Sequence, residues 1–457
     1  MLFCVSSADF LAGYAPSGCC CIDSMCRTIY PIACCRPGLY PRFSLLHFLA
    51  NEKEEEFALD TRTNVLYASI MAGRLVSETL TKLSQMGDVT LHEPAGDRPH
   101  AERIRKARKQ EFNLGGCIAN LSTPKGPKPV LKSMMTTACE RNCNYCVFRA
   151  GRAKTKRVTF SPDEMASAFE NLEHAGKVDG LFLSSGIIKG SVATQDKIID
   201  TADIIRNKQR YGGYIHLKIM PGIEYDQLYR SMQLADRVSV NLEAPTSARL
   251  ADLAPKKIFI EELLQMLQWA QRIRADNPHE KLASSVTQFV VGAVGDTDLE
   301  LLSMTDRLYD QAKLARVYYS AFGPVPGTPF ENLPATEAIR EFRLYQSSFL
   351  LRDYTWDVEE LPFLRDGNLR TDVDPKQAWA DEHLLHQPVE IMRAERQQLM
   401  RVPGIGQVGA DLIIRSRRRG RLSELIHLKQ IGIRAPHKLA KYVLLDGKQP
   451  IQQLKLF

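Results

Sequence analysis

The sequence predicts an α/β protein with a parallel sheet, followed by a small, basic, all-α module at the C-terminal end. Between residues 130 and 355, short apolar segments alternate six times with longer amphipathic segments. This alternation is typical of parallel strands covered by helices. Six strand–helix units are too few for the eight of a complete TIM barrel. A doubly wound open sheet and a partial barrel are therefore both compatible with the spacing.

Length and composition set the domain expectations. The chain has 457 residues, 44% hydrophobic and 25% charged, which suits about three globular domains of roughly 150 residues. It has no apolar run long enough to span a membrane. The first basic residue is Arg27, so the positive start of a secretory signal is missing and we expect a cytoplasmic location. The expected segments are a Cys-rich leader (1–57), a helical lead-in (58–128), the α/β domain (129–355), a linker (356–389) and the basic module (390–457).

The first two segments carry weaker patterns. Residues 1–57 hold seven of the eleven cysteines without metal-ligand spacing or helical or strand periodicity, so we expect a poorly structured leader. Apolar spacing from Asp60 to Gly87 predicts one amphipathic helix, and His100–Gln110 a basic one. The Pro/Lys/Gly run Thr123–Pro129 predicts a linker.

Apolar runs then place the strands and helices of the α/β domain. The helix after Ser161 has the clearest start, with an N-cap hydroxyl, Pro162 in the first turn and Glu164 completing a capping box. The predicted strands are Val130–Thr136, Gly180–Ser184, Tyr214–Ile219, Arg237–Leu242, Ser285–Val291 and Val317–Phe322. The predicted helices are 162–175, Gln195–Lys208, Tyr225–Leu234, Ile258–Arg274, Leu299–Leu314 and Thr336–Arg352.

Three cysteines directly after the first predicted strand carry the strongest chemical signal. Cys139, Cys143 and Cys146 have C-x3-C-x2-C spacing, so their thiolates can surround one soft metal centre. Structural zinc normally takes four closed ligands, and Cys117 and His174 lack the spacing to supply the fourth. Three thiolates on a four-iron cluster leave one iron open to a ligand from outside the protein.

This cysteine segment, with Tyr145 before the last cysteine, resembles the signature of the radical S-adenosylmethionine (radical SAM) superfamily. The resemblance implies a partial (β/α)6 TIM-type barrel and a 4Fe–4S cluster held by Cys139, Cys143 and Cys146. It also implies that S-adenosylmethionine chelates the open iron and is cleaved reductively to a 5′-deoxyadenosyl radical, with electrons from a donor such as flavodoxin or ferredoxin. The cofactor then carries the difficult chemistry while the protein positions it.

Further positions match the superfamily pattern one by one. Ser184-Ser185-Gly186 stands where the family often has Gly-Gly-Glu, so these residues are expected to hold the methionine amine without an acid. Asn241 and Glu243 are expected to grip ribose hydroxyls or the methionine moiety, and Gly292 to contact adenine. Lys218, in the third predicted strand, needs an anionic partner if buried.

The basic module carries a second resemblance. Residues 390–457 contain 14 Lys and Arg against 5 Asp and Glu, whereas the whole chain has a net charge of +7. The turn Gly404-Ile405-Gly406 precedes a helix and resembles the helix-hairpin-helix motif, whose backbone N–H groups cradle a phosphate without reading sequence. Arg415, Arg417 and Arg418 would add nonspecific attraction. A second copy around Gly432 lacks the second glycine and is expected to complete a tandem pair.

Together these features resemble bacterial proteins described as DNA modification or repair radical SAM proteins. The resemblance implies a radical SAM enzyme acting on a nucleic acid, with DNA as the leading hypothesis. Two alternatives stay open: a radical SAM enzyme acting on RNA or a small molecule, and a non-catalytic iron–sulfur protein that binds nucleic acid. No catalytic acid or base has a supporting constellation.

Overall fold

The computed structural model describes residues 78–86, 116–123, 126–152 and 155–450. The chain divides into two units, and every described residue belongs to the second, residues 64–457. Residues 78–86 form a helix, α1, within the predicted helix Asp60–Gly87. The rest of that helix, the leader 1–57 and the basic helix His100–Gln110 lie outside the described residues.

One seven-stranded sheet forms the centre of the second unit. Its strands are β1 (Ile118–Thr123), β2 (Gly126–Met134), β3 (Gly180–Ser184), β4 (Tyr214–Lys218), β5 (Arg237–Ser239), β6 (Ser284–Val291) and β7 (Arg316–Ala321). Strands β2 to β7 are parallel, and each lies beside its predecessor in the chain. A doubly wound sheet reverses its strand order, so this sheet is the singly wound, partial-barrel type. β1 and β7 are its edges, and the barrel stays open between them.

The prediction of a linker at Thr123–Pro129 was wrong. Thr123 ends β1 and Gly126–Pro129 begin β2, and the two strands pair antiparallel. Prolines are tolerated there because the first part of β2 pairs with β1 alone, so one edge of the backbone needs no ladder hydrogen bonds. Pairing of β2 with β3 begins only at Leu131.

The helices of the α/β domain follow the strands in alternation. They are α2 (Pro162–His174), α3 (Ser191–Asp203), α4 (Tyr225–Leu234), α5 (Ser247–Leu253), α6 (Gln265–Asp276), α7 (Asp298–Gln311) and α8 (Ala338–Tyr354). The Ser161 capping box is present, with Glu164 bonded to the Ser161 N–H. α3 continues into a π-helical turn at Ile204–Lys208, and another such turn, Phe259–Leu264, leads into α6. The short helix α5 was not predicted.

Helix α8 connects the two ends of the barrel. Near its start, the Thr336 hydroxyl donates to the Val291 carbonyl at the carboxyl end of β6 (2.8 Å). Near its end, the Arg352 guanidinium donates to the Ala315 carbonyl beside the amino end of β7 (3.1 Å). The 17 residues of α8 therefore span the height of the sheet, about 25 Å at 1.5 Å per residue.

The interval 356–389, expected as a linker, packs against the barrel. It contains a 3₁₀ turn at Val358–Glu360 and helix α9 (Pro375–His383). Trp356 is buried, and the Arg401 guanidinium stacks over its ring at 4.4 Å while binding Glu360 at 2.6 Å. These contacts attach the C-terminal module to the barrel.

The C-terminal module has its own apolar core, which includes Ile391, Leu399, Ile413, Leu428 and Tyr442. Its helices are α10 (Arg396–Arg401), α11 (Gln407–Arg417), α12 (Leu425–Gln430) and α13 (Pro436–Leu439). The prediction of an all-α module was wrong in one respect, because β8 (Val389–Glu390) and β9 (Val443–Leu444) pair in parallel. Within the described part of the chain, no helix is both long and apolar enough to cross a membrane.

Candidate active site

A cavity opens at the carboxyl ends of the parallel strands, where barrel proteins build their active sites. Its volume is about 1110 Å³ including the space open to solvent. Each of the six parallel strands, or the residues just after it, contributes to the lining of the cavity. These lining residues are Met134, Ser184, Lys218, Asn241, Gln288 and Ser320. Most of these side chains are polar, whereas barrel interiors are usually filled by branched apolar residues.

Cys139, Cys143 and Cys146 all line this cavity. Cys143 is buried, and the other two are partly exposed. Burial raises the pKa of the Cys143 thiol, with Lys257 opposing this effect and Glu243 and Cys139 adding to it. The sequence prediction that the three thiols share one site agrees with this arrangement.

Long-range hydrogen bonds hold the cysteine loop against the barrel. The Asn144 N–H donates to the Leu253 carbonyl (2.8 Å), and the Glu140 N–H to the Ile187 carbonyl (2.8 Å). Arg141 binds Glu262 at 3.2 Å. The loop is therefore fixed from both sides.

The donor set fits an iron–sulfur cluster better than a single ion. Among the described residues, no three His, Cys, Asp or Glu side chains group closely enough to hold one metal ion. A cluster makes a different demand, because each thiolate binds its own iron. Cys117 is no fourth ligand in this arrangement, since its thiol donates to the Leu83 carbonyl (3.0 Å) and it does not line the cavity. His174 lies on a separate cavity.

The end of β3 approaches the cysteine loop closely. Ser184, Ser185 and Gly186 all line the cavity, and the Gly186 N–H donates to the Thr136 carbonyl (2.8 Å). A Cβ at Gly186 would lie 2.1 Å from the Ala138 carbonyl oxygen, so glycine is needed here for the close approach. The Ser184 hydroxyl is buried with no hydrogen-bond partner among the described residues.

Asn241 and Glu243 also face the cavity, although β5 ends at Ser239, earlier than predicted. Glu243 adopts a left-handed backbone (φ 67°), held by hydrogen bonds to Gln288 and Val290 of β6. Such backbone strain is often found at functional sites. Asn241 Oδ1 and Glu243 Oε2 are buried and have no hydrogen-bond partner in the described part of the chain.

Lys257 is a site residue that the sequence prediction missed. Its Nζ lies 2.9 Å from Glu243 Oε1, and both side chains are nearly buried. Burial alone would lower the pKa of Lys257. The charges of Glu243 and Cys143 raise this pKa by more than burial lowers it, so the lysine is charged. Lys257 belongs to no sequence motif, and it comes close to Glu243 only in the folded chain.

Gly292 does not line the cavity, unlike the other predicted cofactor-binding residues. Its N–H donates to both carboxylate oxygens of Asp296 (3.0 Å each). Its φ is +86°, and a Cβ would lie 2.2 Å from the Thr336 hydroxyl. The structure gives this glycine a tight turn. Phe322, Gly323 and Val325, after β7, face the cavity instead.

The predicted hairpin turn joins α10 to α11. Gly404 has a φ of +87°, Ile405 is buried, and Gly406 is the N-cap of α11. The second turn has the same form, with Gly432 at φ +105° and Ile433 buried. Both turns line one groove beside the C-terminal end of α8, so the hairpins lie at the end of the barrel opposite the cavity.

The arginines of α11 differ in their surroundings. Arg415 and Arg418 are exposed. Arg417 is partly buried, and its guanidinium donates to the Ile391 and Ala394 carbonyls (2.9 and 2.8 Å). The Arg417 side chain therefore stabilises the module, which leaves Arg415 and Arg418 better placed to meet a ligand.

Lys376 also holds the turn Gly404–Gly406 in place. Its Nζ donates to the Ile405 carbonyl (2.7 Å) and lies 4.9 Å from the centre of the Tyr354 ring. Burial lowers the pKa of Lys376 to about 7, with Asp374 opposing the shift and Arg401 adding to it.

We expect Gly186→Ala to impair cluster binding, because the added methyl group would collide with the Ala138 backbone and displace the cysteine loop. The expected free-energy cost is about 1–3 kcal/mol, with a several-fold loss of iron bound after anaerobic reconstitution. Gly212→Ala is the matched control, since a Cβ at Gly212 meets no atom within 4 Å. Equal iron content in both variants would contradict the close-approach argument.

The Lys376 environment predicts a pH-dependent stability. Between about pH 7 and 10.5, the unfolded chain binds a proton that the folded chain has released, so the free energy of unfolding rises with pH through this interval. Denaturant unfolding should show this rise in the wild type relative to Lys376→Met. Lys429→Met, at an exposed lysine of the C-terminal module, controls for the general loss of a positive charge. If the difference in unfolding free energy between the wild type and Lys376→Met did not change with pH, this prediction would be refuted.

Comparisons with known proteins cover the barrel. Residues 133–308 match the Radical SAM superfamily. No curated protein matches the chain.

Several solved structures align with a large part of the chain at low identity. Methylornithine synthase is 16% identical with a TM-score of 0.39, over 48% of this chain and 60% of its own length. The FeFe-hydrogenase maturase HydG from Carboxydothermus hydrogenoformans is 16% identical with a TM-score of 0.38, over 66% of this chain and 70% of its own. The cobalamin-dependent S-adenosylmethionine radical enzyme OxsB is 11% identical with a TM-score of 0.31, over 70% and 54%.

The family match includes most of the residues that line the cysteine cavity, but not those after β7. The matched segment begins just before the cysteine loop and includes Ser184, Asn241 and Glu243. Residues 133–308, less than half of the chain, are thus similar to the Radical SAM superfamily, and this similarity supports an enzyme of the radical SAM class that uses a 4Fe–4S cluster and S-adenosylmethionine.

Proposed function

We propose that this enzyme cleaves S-adenosylmethionine reductively and uses the resulting radical to modify or repair DNA held by its C-terminal hairpins. The observation that carries the proposal is the shared cavity. Three thiols face it, together with three buried oxygens, of Ser184, Asn241 and Glu243, that have no hydrogen-bond partner among the described residues. The family match supports the enzyme class. Reductive cleavage, the DNA substrate and the residue roles below are the proposal.

Cys139, Cys143 and Cys146 would hold the cluster. When bound, the cluster and S-adenosylmethionine supply a 5′-deoxyadenosyl radical that abstracts hydrogen from a substrate. The chain's own contribution is to keep the three thiols on one wall, since the hydrogen bonds of Glu140 and Asn144 fix the loop before the cofactor arrives. Such preorganisation avoids an ordering cost at binding.

Asn241 and Glu243 would bind the hydroxyl or ammonium groups of S-adenosylmethionine. Each presents a buried oxygen that lacks a partner among the described residues, and a buried acceptor gains most when a ligand supplies the missing donor. Lys257 holds the other Glu243 oxygen at 2.9 Å, so the carboxylate has a fixed orientation. The Ser184 hydroxyl would accept or donate a further bond at the end of β3.

Apolar side chains around the same cavity would keep water from the reacting groups. Phe148, Ile219, Leu263, Phe322 and Val325 line it. Tyr145 adds a partly buried ring, and burial of its hydroxyl, followed by the Glu243 charge, raises the pKa of that hydroxyl, so it stays protonated. A water-poor site protects a reactive intermediate from side reactions.

The hairpins would supply the contact to DNA. The N–H groups at the start of α11, beside Gly404, Ile405 and Gly406, suit a phosphate oxygen. Arg415 and Arg418 are exposed on the same helix, where they add charge without base recognition. We further propose a low-potential donor such as flavodoxin or ferredoxin as the electron source.

Replacing any one of the three cysteines should abolish the radical reaction. We expect Cys139→Ala, Cys143→Ala and Cys146→Ala to bind less iron after reconstitution and to form no 5′-deoxyadenosine with dithionite and S-adenosylmethionine. Cys117→Ala, at a buried cysteine away from the cavity, should retain both properties. Product formation by the three variants at the control's rate would rule out this cluster assignment.

Removing two exposed arginines should weaken DNA binding in a salt-dependent way. Log affinity falls as log salt rises, and each lost phosphate contact makes this slope shallower by about 0.9. The double variant Arg415→Gln/Arg418→Gln should therefore reduce the magnitude of the slope by about 2. Arg272→Gln, on the exposed side of α6, is the control. An unchanged slope would remove the hairpin assignment, and tighter binding to RNA than to DNA would replace the proposed substrate.

A further inference from the structure

Next to the cysteine loop lies a second concentration of positive charge, which we call the basic segment (residues 149–152 and 155–157). It contains Arg149, Arg152, Lys156 and Arg157, and the sequence has no Asp or Glu between Glu140 and Asp163. The basic segment has no role in the proposed cluster binding or in the proposed contact of the hairpins with DNA. It lies beside the cavity, and its inferred role rests on the proposed function.

The arginines of the basic segment bind backbone carbonyls. Arg149 donates to the Cys143 carbonyl (3.2 Å) and Arg157 to the Phe148 carbonyl (2.9 Å). Carbonyls orient a guanidinium but do not cancel its charge. In the described part of the chain, Arg149, Arg152, Lys156 and Arg157 have no carboxylate within ion-pair distance. Several like charges are therefore held close together, which favours a polyanionic partner.

The basic segment also lies at the mouth of the cavity. Arg152 Nε donates to the Pro326 carbonyl (2.9 Å) in the loop that follows β7. The segment thus bridges from the cysteine loop after β2 to the far edge of the sheet, across the side where the barrel is not closed. Phe148 before it and Val325 opposite both line the cavity.

The hairpins and the basic segment are at opposite ends of the barrel. The hairpin groove adjoins Tyr354 at the C-terminal end of α8, whereas the basic segment lies at the carboxyl ends of the strands. The two are separated by about the length of α8, roughly 25 Å. Since nucleic acid advances about 3.4 Å per base pair, this distance corresponds to about seven base pairs.

We propose that the basic segment binds backbone phosphates of the nucleic acid at the mouth of the cavity. The hairpins then hold the polymer at one end of the barrel, and the basic segment holds it again where the reaction takes place. A contact of this kind positions the substrate without reading its sequence. It also explains why the arginines are oriented by neutral acceptors.

Lys156 offers the cleanest test, because it is exposed and its side chain makes no hydrogen bond or ion pair with another described residue. We expect Lys156→Glu to weaken binding to a duplex of about 20 base pairs several-fold and to lower the salt slope by about 1. Lys197→Glu, at an exposed lysine on α3, is the charge-matched control and should change neither value. Bound iron, measured in both variants, reports whether the cysteine loop is intact.

Duplex length provides a second readout. On a duplex of about six base pairs, too short to bridge the two sites, Lys156→Glu should bind like the wild type. An equal loss of affinity on both lengths would overturn the bridging geometry.

The outcomes separate this inference from the proposed function. If the wild type binds no nucleic acid, the proposed function fails. If the wild type binds and Lys156→Glu is indistinguishable from it on the long duplex, only the basic-segment inference fails. If DNA binding is unchanged but the cluster is reduced more slowly by flavodoxin and not by dithionite, the basic segment docks an electron donor, and our proposal is wrong.

Discussion

Three thiols can serve one inorganic centre only if the loop carrying them is held in place, and here neighbouring segments hold it. Backbone bonds from Glu140 and Asn144 reach Ile187 and Leu253, and Gly186 allows the end of β3 to touch the loop. A backbone so pinned pays little further conformational entropy when ligands bind. Because this loop is fixed, the carboxyl ends of the parallel strands and the open side of the barrel surround a site of defined geometry.

The parts that sequence predicted well are local. Apolar runs predicted six parallel strands near their observed positions, and the spacing of Cys139, Cys143 and Cys146 predicted one shared site because the three cysteines lie within eight residues. Sequence could not supply contacts between distant segments. Lys257 meets Glu243 only through the fold, and Arg152 reaches the loop after β7 across 174 residues. Gly292 was expected at the cofactor because a glycine turn has the same pattern whether it serves a ligand or a tight corner.

The barrel interior is lined by polar side chains where other barrels have apolar packing. Lys132, His216, Lys218 and Gln288 are buried on β2, β4 and β6, at positions that usually hold aliphatic side chains. Burial, followed by the charges of Arg237 and Lys218, lowers the pKa of His216 well below its usual range, so this imidazole is neutral. Such a lining gives a polar ligand partners at depth, and it costs stability that the apolar outer layer between sheet and helices must offset.

Helix α8 belongs to both halves of the molecule. One face packs against β7 through Leu344 and Tyr345, and its last residue, Tyr354, contacts the apolar cores of the barrel and of the C-terminal module alike. Trp379 is shared in the same way. Cutting the chain after the barrel would leave these aromatic rings facing water, a surface prone to self-association. The two halves are therefore poor candidates for separate expression, and for exchange as independent cassettes between proteins.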